Sequence, residues 1–174
     1  GAIIPNAGGT GYYRFSLSDA EWEKLITAGP ALPPGEALAL NDSLWADMSA
    51  GHAAPALLVK AARAMTGNGY AEAATEGATR LKGLRRRGLI PQSEMGAYRT
   101  TLGGIYAPML EKLGFDPRAD AYAKDDPEER TMRENIVSIL SGAPSVARRS
   151  RAPPSTTSMP SPPWSCRSAR SRPT

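Results

Sequence analysis

The sequence predicts an all-α chain: antiparallel helical hairpins, preceded by a short extended segment and followed by a disordered tail. Three observations carry this. Apolar residues recur at helical spacing in six successive windows between Ser18 and Gly142. Most windows open on a capping residue or a proline and close at a glycine. Past Gly142 the apolar periodicity stops and the composition changes in kind.

Residues 2–17 read as extended, because Tyr12, Tyr13 and Phe15 favour strand and the glycines before them favour a turn. Ser18-Asp19-Ala20-Glu21 fits a capping box, and Trp22, Leu25 and Ile26 follow at helical spacing until Gly29-Pro30. A second helix is predicted over 35–50, with Ala37, Leu40, Leu44 and Met48 on one face. A third starts at Pro55, a residue tolerated in a first turn, and buries Leu58, Ala61, Ala62 and Met65. The fourth runs from Tyr70 to Arg87 along Ala73, Ala74, Ala78, Leu81 and Leu84. The fifth begins near Pro91 and keeps its period through Met95, Tyr98, Leu102, Ile105, Tyr106 and Met109. Pro108 is expected to kink or split it. The sixth takes Asp126 as cap and Pro127 in its first turn, with Met132, Ile136, Ile139 and Leu140 facing inward. Alanine-rich inner faces allow close helix approach, which suits a bundle or a stacked array of helical hairpins. The organisation is therefore a junction segment (1–17), a helical domain (18–142) and a tail (143–174).

The tail holds eight Ser, seven Pro and six Arg, with no acidic residue. Such a segment buries too little apolar surface to offset its ordering entropy, so disorder is expected. The break reads as a shifted reading frame, since GC-rich DNA read out of frame yields Arg, Pro, Ser and Ala. The whole-chain charge of +4 comes from this tail. Fifteen Lys or Arg against seventeen Asp or Glu leave residues 1–142 two charges negative. A specific nucleic-acid partner is therefore not expected of the body. No apolar run reaches the roughly 18 residues a membrane helix needs, so a soluble chain is expected, with no compartment specified. The start, Gly1-Ala2-Ile3-Ile4-Pro5, reads as a cut or processed end.

Chemistry-bearing constellations are sparse. One histidine, His52, and one cysteine, Cys166, fall short of the converging donors a zinc site needs. His52 follows Gly51 in a helix–helix loop and reads as a solvated or capping residue. Glu128 and Glu129 read as first-turn charges facing the helix dipole. The glycines of Pro5-Asn6-Ala7-Gly8-Gly9-Thr10-Gly11 suggest a phosphate loop, but no Gly-Lys-Ser/Thr follows and Arg14 stands where a dinucleotide loop needs glycine. They read instead as a tight turn, with Asn6 bonding back to it and the tyrosines packing behind. Asn41-Asp42-Ser43 matches a glycosylation pattern but falls inside a predicted helix. Arg85-Arg86-Arg87 offers a contact for an anion or peptide; the plainer account is cations at a helix C-terminus.

The junction motif Asn6, Gly8, Gly9, Gly11, Tyr12, Tyr13, Arg14 resembles the Asn-x-x-x-x-Gly-Tyr-Tyr-Arg signature of the zinc aminopeptidase family, which includes aminopeptidase N and the puromycin-sensitive and endoplasmic-reticulum aminopeptidases. Leu38-Ala39-Leu40-Asn41-Asp42-Ser43-Leu44 is similar to that family's "ALALxDSL", and Leu113-Gly114-Phe115-Asp116 to its "LGW" loop. The resemblance covers residues 2–142. It implies the junction where a small β-sandwich passes into the C-terminal helical domain, a HEAT- or armadillo-like superhelix that caps the active-site cavity. It implies as partners the catalytic and β-sandwich domains of a parent enzyme, and a peptide substrate only in the whole enzyme. The family's His-Glu-x-x-His helix, third zinc ligand, Gly-x-Met-Glu-Asn stretch and catalytic Tyr have no counterpart here. No catalytic or metal residue carries over: zinc belongs to the parent, and the expectation for this chain is no cofactor and no activity alone. The chain reads as short for that domain, so marginal stability is expected of it. The alternative is a stand-alone helical module that binds a protein partner. Resequencing the gene around codon 144 tests the frame-shift reading: a single-base shift is expected, and an intact frame would dismiss it.

Overall fold

A computed structural model describes residues 3–11, 13–118 and 120–141. Six α-helices occupy them: α1 (Asp19–Ala28), α2 (Pro34–Ser49), α3 (Pro55–Met65), α4 (Ala71–Arg86), α5 (Met95–Leu113) and α6 (Pro127–Ser141). There is no strand among the described residues. The expected stop at Gly142 and the tail 143–174 lie outside them, as does Tyr12.

Each helix begins where local chemistry satisfies its first turn. At α1 the Glu21 carboxylate accepts from the Ser18 N–H at 2.9 Å and the Ser18 hydroxyl at 2.6 Å, the reach-back half of the predicted box. These bonds hold the Glu21 carboxyl below its ordinary value. Prolines open α2, α3 and α6, where a missing N–H costs nothing. Before α1 the chain makes a 3₁₀ turn over Ala7–Gly9 and then runs non-helical, without a ladder, through residues 13–18, the glycine turn and extended segment the sequence leads one to expect. Pro108 does not split α5, which runs unbroken from Met95 to Leu113. The carbonyl it deprives of a donor belongs to Gly104, on an exposed turn whose two glycines leave open space around it.

Packing divides the helices between two cores, and α3 is the wall between them. Its Leu57, Ala61 and Met65 join Trp22, Leu25, Leu40 and Leu44 of α1 and α2. Its Leu58 and Ala62 join the core of α4, α5 and α6, which includes Ala78, Tyr106 and Ile136. Successive even-numbered helices touch, α2 with α4 and α4 with α6, while α3 pairs with α4 and α5 with α6. α3 and α4 cross closely: a Cβ added at Gly77 would stand 2.4 Å from the Ala62 Cβ and 2.7 Å from its Cα. Small residues at this crossing permit the approach that the alanine-rich faces anticipated.

Two buried charges lock the ends of this arrangement. Asp47, on α2, is 4% exposed. Its carboxylate accepts the Ser16 hydroxyl at 2.5 Å and the Trp22 indole N–H at 2.8 Å, and faces His52 Nδ1 at 3.4 Å. Burial pushes its pKa up, but bonds from Ser16, Trp22 and the Leu17 N–H, with the His52 charge, outweigh burial and hold it below the ordinary carboxylate value. At the other end Arg133, 6% exposed, donates from α6 to the carbonyls of Gly114 (3.1 Å) and Leu113 (2.9 Å). It also pairs with Asp125 at 2.9 Å and lies 3.6 Å from the Tyr122 ring centroid. Gly114 makes the turn at φ 72° that presents these carbonyls.

Two outcomes follow for stability. Gly77→Ala should destabilise the chain despite alanine's helix preference of about 1 kcal/mol, because the clash is with a neighbouring helix backbone; Gly83→Ala, in open space on the same helix, should stabilise it by about 0.5–1 kcal/mol. Urea melts of the two variants check this, and a stabilised Gly77→Ala would refute the close crossing. Asp47→Asn should cost about 1–3 kcal/mol at neutral pH, since a buried donor loses its acceptor. Because Asp47 is depressed in the fold, its contribution is complete above the unfolded value of about 3.9 and lost as pH falls through the lower folded value. Stability of the parent chain should therefore fall below about pH 4, and Asp47→Asn should show a shallower fall in the same acid titration.

Candidate functional site

The junction residues form a self-closed loop seated on α2. Asn6 is buried; its amide donates to the Gly11 carbonyl at 3.0 Å and its oxygen accepts the Gly11 N–H at 2.9 Å. This is the side-chain bond the turn chemistry anticipates. Gly8 and Gly9 adopt φ of 75° and 66°, a region that glycine enters without strain. Gly9 also lies against α2: a Cβ there would stand 2.3 Å from the Gly35 carbonyl carbon. The Gly8 N–H donates to the Glu36 carboxylate at 2.8 Å. The amides that a phosphate would need at Gly8 and Gly11 are thus taken by the chain's own oxygens. Tyr13 donates to the Pro5 carbonyl at 2.5 Å, and Phe15 stacks on Trp22 with centroids 5.4 Å apart.

Arg14 links this loop to the second quoted motif. Its guanidinium meets the Asp42 carboxylate at 2.7 and 3.3 Å, and Arg80 of α4 approaches the same carboxylate at 3.5 Å. Arg80 is also paired with Glu76 at 2.7 Å and lies 5.3 Å from the Trp45 ring centroid; Arg87 lies over the same ring at 5.9 Å. The fold therefore joins Arg14 to the end of the arginine run through Asp42, Arg80 and Trp45. Arg86 is exposed, and Arg85 adjoins Tyr98, whose hydroxyl is raised by burial against the pull of that cation.

Two open grooves flank this band and share Leu38 and Asp42. One, about 710 Å³, runs beside Asn6, Gly9, Tyr13 and Arg14. The other, about 390 Å³, lies between α2, α4 and α6, lined by Glu72, Glu76, Arg80, Lys82, Asn135 and Ser138. Lys82 donates to the Ser138 carbonyl at 3.1 Å; burial lowers its pKa, and Arg85 and Arg86 add to that. The grooves carry both charge signs and hydrogen-bonding groups along their walls.

The remaining sequence candidates have other partners. His52 is exposed beside the buried Asp47. Glu128 reaches across to accept the Ala71 N–H, so it caps α4 from the first turn of α6 as well as facing its own helix. Asn41 is buried, with its amide on the Ala73 carbonyl at 3.1 Å, which removes it as a glycosylation acceptor in this fold. Among the described residues no three His, Cys, Asp or Glu side chains gather to hold a metal. His52 and the fully engaged Asp47 do not fit zinc. The sequence reading missed Asp47 and Arg133. The signal for each was a charged residue on an apolar helical face: Asp47 three positions after Leu44, and Arg133 beside Met132 and three before Ile136.

No curated protein and no solved structure matches the chain. A family model described as "ERAP1-like C-terminal domain" matches residues 2–152, spanning the junction loop and all six helices. On that match, the chain belongs to the ERAP1-like C-terminal domain family, a C-terminal domain of the aminopeptidases.

Proposed function

We propose that this chain supplies the non-catalytic helical domain that caps the active-site cavity of a zinc aminopeptidase, which removes N-terminal residues from peptides. The observation that carries the reading is the family match over residues 2–152. The seating of the junction loop on α2 supports it, because a loop anchored through Asn6, Gly9 and Arg14 fixes how a preceding domain would enter the helices. The helices then form a HEAT-like array acting as cavity wall and lid, docked on the catalytic and β-sandwich domains of the parent. Zinc and the reacting groups belong to that parent, and this chain orients peptide. Arg85, Arg86 and Arg87, which follow the groove-lining Lys82 at the end of α4, are the cations it offers to a peptide's acidic groups.

The chain with added zinc should release no N-terminal residue from a peptide or an aminoacyl anilide. Co-expressed with the catalytic and β-sandwich domains of its parent, it should co-purify with them. In that complex a triple Arg85→Glu, Arg86→Glu, Arg87→Glu variant should raise KM for peptides roughly tenfold, the loss of one or two charged hydrogen bonds, and leave anilide hydrolysis unchanged. Turnover by the chain alone, or failure to associate, would overturn the reading.

A further inference from the structure

We propose that Asn68 is a self-modification site: when the α3–α4 corner opens the residue deamidates, and the product keeps the corner from closing again. The chain has four asparagines, and only Asn68 is followed by glycine. Ala7, Asp42 and Ile136 follow the other three. That difference is chemical. Deamidation begins when the backbone nitrogen of the next residue attacks the side-chain Cγ, and a Cβ on that residue hinders the approach. Gly69 has none. As the new C–N bond forms, the attacking nitrogen gives its proton to water. The Cγ–Nδ2 bond then breaks, and the leaving nitrogen takes up a proton to depart as ammonia. Water opens the resulting succinimide at either carbonyl, leaving aspartate or isoaspartate. Solvent water is the only co-reactant.

The fold holds this reaction off. Asn68 lies between α3 and α4 and is 4% exposed. Its amide donates to the carbonyls of Gly29 and Leu32, both at 3.0 Å, and its oxygen accepts the Tyr70 N–H at 3.0 Å. Its own N–H donates to the Met65 carbonyl at 2.9 Å. The carboxamide is thus held on every side, and through it the corner is fastened to the turn that ends α1. Ring closure requires the side chain to leave these partners and reach the Gly69 nitrogen, so it proceeds through an open corner. Closure after reaction fails for a related reason. A carboxylate has no N–H to give to Gly29 and Leu32, and it sets a buried negative charge against their oxygens. Isoaspartate also lengthens the main chain between the two helices. One opening is thereby made permanent, and α1 loses its hold on the start of α4. The site uses only this chain's own residues, so it stands or falls separately from the role proposed above.

The test incubates the full chain in mildly alkaline buffer, folded and unfolded by guanidinium chloride, and follows each asparagine by peptide mass spectrometry. In the unfolded chain Asn68 should deamidate well before Asn6, Asn41 and Asn135. Folding should slow it by about a hundredfold, since three side-chain hydrogen bonds, each worth about a factor of five, must open first. Gly69→Ala is the chemical control: a Cβ there meets nothing within 4 Å, and Gly69 is not among the glycines at positive φ. The variant should fold, and when unfolded it should deamidate at Asn68 at the pace of the other asparagines. Asn68→Asp copies the product and should lower the folded-to-unfolded ratio by roughly tenfold or more in a urea melt. Equal rates at all four asparagines in the unfolded chain would overturn the site. Equal rates at Asn68 in the folded and unfolded chains would overturn its control by the fold. An Asn68→Asp chain as stable as its parent would overturn the permanent opening. The measurements on the parent chain keep the proposal falsifiable even if Asn68→Asp fails to fold.

Discussion

The first half of this molecule depends on a carboxylate that has been taken out of water. Asp47 sits on the inner face of α2, where the helical period calls for an apolar residue, and an unpaired charge there would be strongly destabilising. It is tolerated because three elements bring it donors: the irregular segment through Ser16 and Leu17, α1 through the Trp22 indole, and the loop after α2 through His52. Each donor has its own reason to stay. Trp22 is fully buried and stacked on Phe15, and the His52 and Ala53 N–H groups also bond the Asp47 carbonyl. The segment before α1 belongs to no sheet among the described residues, and this carboxylate joins the Arg14–Asp42 pair, the Gly8–Glu36 bond and the Phe15–Trp22 stack in holding it to the helices.

The second half uses the opposite charge for the same purpose. Arg133 gathers the end of α5, the loop beyond it and α6 around one guanidinium, and Tyr122 covers its face. Arginine suits this task because its planar fork reaches several oxygens at once and tolerates burial better than an ammonium. Between the two locks, α3 shares its apolar residues between both cores, so neither hairpin half has an independent interior. Disturbance at the α3–α4 crossing is therefore felt on both sides.

Several ionisable groups hold segments of the chain together: Asp42 on Arg14 and Arg80, Glu36 on the Gly8 amide, Glu128 on the start of α4. Beside them Arg80 and Arg87 lie on Trp45, flanked by a polar groove.

Much of the fold was legible in the residues alone. Helix positions follow from apolar spacing and stops, the start of α1 from Ser18 and Glu21, and the closed junction turn from Asn6 and its glycines. These are local properties, set by neighbours three or four positions away, and a local pattern is what a sequence displays. The N-terminal stretch is extended but carries no ladder, because strand preference is expressed as a ladder only where a partner strand exists. Tertiary structure alone decided the rest. The bond from Trp22 to Asp47 spans 25 positions, and that from Ala71 to Glu128 spans 57. Which donor meets which buried charge depends on how helices cross, and crossing angles are set by packing of whole faces rather than by any residue's own preference.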